Sequence, residues 1–148
     1  MIALVGGDDV GKYLHVENSF GFDLQQFNAV TPKKIPLYRE DLNPQLLSDD
    51  VEAFRFDFMN ESSFPGQDKT LEIVSTAEGL CYGVIQWIRM EFDEQVSFEN
   101  HPSHKKSVSN WQRTVFCFDE PIYVKPGLVV SVSAAHDRAA PWFDRVRR

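Results

Sequence analysis

The chain has 148 residues, 43% of them hydrophobic and 25% charged, with a formal net charge of −7 at pH 7. That length and balance suit one folded domain with its own core and exclude a disordered chain. No apolar run reaches the roughly 20 residues of a membrane-spanning helix, and the negative charge disfavours nucleic acid and suits basic partners. Met1–Val5 is too short for a secretory signal and lacks its basic start, so a cytoplasmic setting is expected, with the nucleus as the alternative.

In chain order, apolar Ile2–Val5 is followed by Gly6-Gly-Asp-Asp-Val-Gly-Lys12. The spacing superficially fits a phosphate-binding loop. However, Tyr13 stands where Ser or Thr would hold magnesium, two aspartates would repel phosphate, and Tyr13–Val16 reads as extended. Asn28 to Asp41 holds two prolines, three basic residues and Leu37-Tyr38, and reads as a protruding arm. Asn43-Pro44 offers a cap and a first position for one helical turn through Leu47. Val51–Met59 alternates as a strand with Phe54, Phe56 and Phe58 on one face, and Asn60–Gly66 breaks it with turn residues. Lys69–Thr76 predicts a second strand, with Leu71 and Ile73 sharing a face.

Leu80–Phe92 reads as the longest strand, with Leu80, Tyr82, Val84, Ile88, Met90 and Phe92 on one face and Cys81, Ile85 and Trp87 on the other. Apolar residues on both sides near its start place it centrally in a sheet, and Gly83 marks a bend or a close backbone neighbour. Trp111–Asp119 and Pro121–Val124 are further strands. Lys125-Pro-Gly127 predicts a type II turn, and Leu128–Ala135 alternates Leu128, Val130, Val132 and Ala134 against Val129, Ser131, Ser133 and Ala135. Short strands joined by turns over residues 1–148 predict a mainly β single domain, a sandwich or a closed barrel.

Chemistry-bearing motifs are sparse. His101-Pro-Ser-His104 supplies two donors where zinc needs three or four. No Gly-x-Ser-x-Gly elbow occurs. Glu91, Asp93, Glu94 and Glu99 read as a solvated strand end, and Cys81 and Cys117 as packed free thiols in a reducing compartment. The polar loop His101–Asn110 ends on Trp111, which reads equally as a functional lip and as a barrel plug.

Ser109-Asn-Trp-Gln-Arg-Thr-Val-Phe116 resembles the Thr-His-Trp loop of protein arginine N-methyltransferases, whose pattern runs on into Gln-Thr-Val-Phe. Asp119-Glu-Pro-Ile-Tyr-Val-Lys-Pro-Gly127 is similar to the acidic turn and Val-Lys-x-Gly that follow in the family. Gly21-Phe-Asp-Leu24 with Phe27-Asn28 resembles the segment that opens its C-terminal β-barrel, and Leu46–Val51 with Phe56–Phe58 continues in register. Ala135-His-Asp137 to Trp142-Phe143 is most similar to the end of a module in the two-module, monomethylating branch. The resemblance spans about residues 13–143.

The resemblance implies a barrel packed beside a Rossmann-like domain that binds S-adenosylmethionine, with an arginine-containing protein or peptide entering between them. Two glutamates of that other domain would grip the guanidinium in a bidentate geometry. Ser109, Asn110 and Trp111 would close the substrate site. Residues 28–41, with Leu37 and Tyr38, would form a dimerisation arm that docks on a partner subunit. The chain departs from the family in two ways. It has no Gly-x-Gly-x-x-Gly after a strand and no paired-glutamate loop, so neither cofactor binding nor a catalytic residue of its own is expected. Asn110 also replaces the loop histidine, and an amide cannot carry a proton near neutral pH. Two functions compete: the substrate-side, noncatalytic half of an arginine methyltransferase-like enzyme, whose cofactor domain lies on the same or another chain, and a stand-alone β-barrel module that binds proteins or peptides.

Overall fold

The computed structural model describes residues 1–14, 16–37, 43–104 and 111–146. In chain order they form β1 (Ile2–Gly6), α1 (Asp8–Leu14), β2 (Asn18–Ser19), β3 (Phe22–Asp23), a 3-10 turn (Gln25–Val30), β4 (Lys34–Leu37), β5 (Gln45–Leu46) and β6 (Gln67–Val74). There follow β7 (Gly79–Gln86), β8 (Arg89–Glu91), β9 (Ser97–Glu99), β10 (Arg113–Val124), β11 (Val129–His136) and β12 (Pro141–Arg145). Two sheets face each other: a five-stranded one in the order β4-β10-β7-β1-β5, and a three-stranded one in the order β12-β11-β6. All their pairings are antiparallel.

The mainly β expectation holds, and of the two architectures the described strands make the sandwich. They do not close into a barrel. Outside the named strands the sheets meet at one bridge, Ser48 with Ser75, where the Ser75 hydroxyl donates to the Leu47 carbonyl at 2.8 Å.

Burial follows from sheet alternation. Ile2 and Leu4 of β1, Val84 of β7 and Phe116 of β10 face the smaller sheet, where Ile73, Val130, Val132, Ala134 and Phe143 complete the larger core. Ala3, Val5, Ile85, Trp87 and Val115 face the other way and form a second core with Val10, Leu14 and Leu37. The central sheet is therefore apolar on both faces, as the two-sided pattern of Leu80–Phe92 predicts for its central strand.

Several sequence expectations are corrected. Residues 8–14 are helical: Asp8 and Asp9 lie in the first turn, Lys12 in the last, and Val10 and Leu14 share the face turned to the second core. The seven-residue helix is too short to show a period. Residues 45–46 pair with the end of β1, so the helical turn expected there is a strand. Val51 bridges Ile2, but beyond it 52–59 has no strand partner. Its alternating phenylalanines instead gather with Phe64 and His136 into an aromatic cluster. Asp57 turns the chain there by accepting from the Met59 and Asn60 amides.

The arm is corrected in part. Residues 34–37 pair with β10, and Leu37, opposite Arg113, is buried in the chain's own second core at 8% exposure. Residues 38–41 of the arm, Tyr38 among them, lie outside the described residues. The long strand breaks at Trp87–Ile88 into β7 and β8. A bulge within β7 also shifts its alternation: Val5 pairs Gly83 while Gly6 pairs Cys81. Cys81 consequently faces the larger core, and Tyr82 the second.

Gly83 is the close backbone neighbour that the sequence pattern called for. A Cβ there would run into the Phe116 carbonyl of β10. The Lys125–Gly127 turn also stands as predicted, with Gly127 at φ +88° and the Leu128 amide donating to the Lys125 carbonyl at 2.9 Å. Gly83→Ala should thus cost at least about 3 kcal/mol or prevent folding. Gly127→Ala, which meets open space, should cost about 1 kcal/mol from its positive φ alone. Urea unfolding of the two variants checks this contrast.

Cys81 and Cys117 are free and face opposite sides of the sheet. Burial pushes both thiols up to about 11. At pH 8 only about one in a thousand of each would be thiolate, against about one in four for a free cysteine. Native protein should resist iodoacetamide at pH 8 while urea-unfolded protein takes up two equivalents, as read by intact mass.

Candidate functional site

The resemblance places the site at the 101–111 loop, and the described residues at its two ends are firmly built. Asn100, fully buried, closes the gap between them. Its Oδ1 accepts from the Ile88 amide at 2.8 Å, and its Nδ2 donates to the Trp111 carbonyl at 2.7 Å. One side chain thereby satisfies backbone groups at the β7–β8 break and at the entry to β10, which would otherwise lack ladder partners. Arg113 adds a second tie, donating to the Pro102 carbonyl at 2.9 Å.

Below the loop lies a charged and aromatic cluster. The Trp87 indole N–H donates to Glu99 Oε1 at 2.7 Å, and Arg89 reaches the same oxygen at 3.0 Å and Asp50 at 3.5 Å. His101 stands edge-on to Trp87, ring centres 4.9 Å apart. Its Nδ1 accepts from the Ser103 amide at 3.1 Å, which leaves the proton on Nε2, 3.1 Å from Asp50 Oδ1. Burial alone would raise the Glu99 carboxyl; the hydrogen bonds from Trp87 and Arg89, with the Arg89 charge, outweigh it and hold it below its ordinary 4.5.

Trp111 is half exposed, its ring 6.4 Å from that of Phe98. It is therefore at the lip of the loop and is not a core plug; the buried tryptophan is Trp87. Ser109 and Asn110 lie outside the described residues. Leu37 lies on the strand that pairs with β10 just beyond Trp111, so it braces the loop's exit through Arg113. Sequence reasoning missed Asn100, Asp50 and Arg89. The only trace of them was polar residues flanking a strand break, which is also how ordinary loop residues look.

The cluster can hold and orient, but its groups are already committed to one another. His101 is engaged at both nitrogens, Glu99 and Asp50 are met by cations or N–H donors, and the two thiols are buried. Among the described residues no three or more His, Cys, Asp or Glu side chains are placed to hold a metal. No helix among them is long and apolar enough to cross a membrane.

The described residues thus define a two-sheet β domain in which Asn100 ties the β7–β8 break to the entry of β10. No family model matches the sequence. A segment of 68 residues is 29% identical to protein arginine N-methyltransferase 2 of Xenopus tropicalis, covering 44% of this chain and 16% of that protein. The Trypanosoma brucei PRMT1 enzyme–prozyme heterotetrameric complex with AdoHcy overlays with a TM-score of 0.46 at 14% identity, over 90% of this chain and 45% of that one. The matched region is under half the length of either relative.

Glu99 yields a signed pH prediction. A carboxyl held low in the folded state contributes stability above its unfolded value and loses it as pH falls through the folded value. Glu99→Gln should cost about 1–2 kcal/mol at pH 7. The gap to wild type should shrink as pH falls below 4.5. Urea midpoints at pH 7 and in acid measure both; a gap independent of pH would mean that the carboxylate charge is not used.

Proposed function

We propose that this chain is the substrate-side β domain of a protein arginine N-methyltransferase-like protein, noncatalytic by itself, with Ser109, Asn110 and Trp111 on the lip that closes over an arginine-containing protein or peptide. The observation that carries this reading is the 68-residue match to an arginine methyltransferase. The Ser109–Phe116 motif supports it: the loop it ends is anchored at Asn100 and delivers Trp111, half exposed, to the start of β10. On this reading the two-sheet domain stands for the family's barrel, and the protein works in the cytoplasm or nucleus. The family's dimerisation arm would correspond to about residues 28–41, with Leu37 and Tyr38; of these Leu37 is buried in the chain's own second core.

S-adenosylmethionine belongs to a separate domain on this reading, because the strand–loop–helix formed by β1 and α1 does not fit it. β1 runs antiparallel to both of its neighbours, whereas nucleotide-type sites form beyond the carboxyl ends of parallel strands. Gly6, the first glycine of that loop, is small for an internal reason: a Cβ there would meet the Leu80 carbonyl at 2.5 Å and Leu47 at 2.7 Å. Asp8 and Asp9 then place negative charge at the head of a helix of only two turns.

Asn110 favours a second reading, a peptide-binding module that has kept the scaffold and lost the enzyme, because it cannot take the protonated role of the family's histidine. Calorimetric titration of the chain with S-adenosylmethionine, and separately with an Arg/Gly-rich peptide at low salt, tests both. The first reading predicts no saturable heat with the cofactor and at most weak peptide binding. Tight, saturable peptide binding by the lone chain would transfer support to the module. Stoichiometric cofactor binding would overturn both.

A further inference from the structure

A cavity of about 310 Å³ opens beside the β7–β8 break, on the side of the β11–β12 turn. Its walls include Phe54, Phe56, Trp87 and Phe143, with His136 and Arg138 supplying polar groups. It lies between the start of the 51–59 segment and the β11–β12 turn, and this volume is at the lower end of the range for small-molecule sites.

His136 is the last residue of β11, on the inward face, and only 8% exposed. Phe54 and Phe56 present to it edge-on, with ring centres 4.6 and 5.1 Å away. The backbone amide of Arg138 donates to its Nδ1 at 3.3 Å, so in the neutral ring the proton resides on Nε2. That nitrogen is buried and meets no acceptor among the described residues. A buried donor without an acceptor is costly, and here it belongs to a cavity-lining ring.

The charges around the cavity point the same way. Arg89 is neutralised by Glu99 and Asp50, and the exposed Arg55 by Glu52. The Asp137 carboxylate is turned to the amides of Ala139 and Ala140 at 2.9 and 3.0 Å. Arg138 makes no ion pair with another described residue, and Lys69 stands 5.1 Å over the Phe54 ring. Arg138 also sits at φ +78°, a conformation that bulky side chains rarely adopt and that tends to persist where a function requires it.

We propose that this cavity binds a small carboxylate with a flat apolar body, its ring between the phenylalanines, one oxygen accepting from His136 Nε2 and its charge facing Arg138. The aromatic walls select the body, the orphaned N–H demands an acceptor, and the unpaired guanidinium selects an anion over a neutral isostere. The site stands on β11, β12, the 51–59 segment and the β7–β8 break. It shares Trp87 and Arg89 with the cluster near the 101–111 loop, but its ligand groups, His136 and Arg138, lie outside that cluster, so it does not need the arginine methyltransferase reading.

Naphthoate and naphthamide serve as probes, titrated into the 148-residue chain by calorimetry. The amide keeps the acceptor and the shape but lacks the charge. Naphthoate should bind saturably, about tenfold more tightly than naphthamide. His136→Phe, which keeps the ring and the packing, should weaken both probes. Arg138→Gly should erase the preference for the acid while raising the thermal midpoint, because glycine relieves the positive φ. Absence of saturable naphthoate binding to the wild-type chain would overturn the proposal, as would binding that neither substitution alters. An Arg138→Gly chain that binds naphthoate and naphthamide as the wild type does would remove the anion from it.

Discussion

The fold depends on one sheet having to be dry on both sides. Ile2–Gly6 is buried along its whole length between β7 and β5. Alternate residues feed two separate cores, one against the smaller sheet and one against α1. Each cover is needed because the other cannot reach both faces, and the short helix, marginal in isolation, is held by the apolar face beneath it. The same demand accounts for the glycine at 83. With side chains packed above and below, β10 has to pass close to β7, and only a residue without a Cβ lets the Phe116 carbonyl through.

This frame is what places chemistry at its rim. β7 leaves the sheet at Trp87, which remains fully buried while its indole N–H reaches out to Glu99. Asn100 then ties that exit to Trp111, so the loop between 101 and 111 starts and ends on fixed points. The charged groups beside it brace one another. At the β11–β12 turn the balance is reversed, with Arg138 at positive φ and a His136 donor that meets no acceptor among the described residues.

Strands whose alternation was backed by a partner were legible in the sequence. Lys69–Thr76 and Leu128–Ala135 pair with each other nearly as read, and Lys125–Gly127 carries its turn chemistry locally. The rest depended on tertiary context. Phe54, Phe56 and Phe58 alternate like a strand, yet beyond Val51 no neighbour offers a ladder, and stacking with Phe64 and His136 takes its place. The β7 bulge inverts the faces of Cys81 and Tyr82, which no period-two count can anticipate. Two prolines and basic residues made 28–41 look like an arm, but Pro36 is tolerated because β4 is an edge strand, and Leu37 is buried where β4 meets β10. At the site, Trp111 is legible from its motif, whereas Asn100 is not, since its role exists only once two distant backbone breaks are brought together.

That the twice-buried sheet is the rigid frame for everything else can be tested by native-state hydrogen exchange. Chain ends ordinarily fray and exchange first. The amides of Ala3, Leu4 and Val5 are predicted to exchange as slowly as those of Val84 and Ile85, through global unfolding only, and more slowly than those of β12. Fast exchange at Ala3–Val5, independent of global stability, would mean that β1 is an appendage to the sheet and would contradict the account.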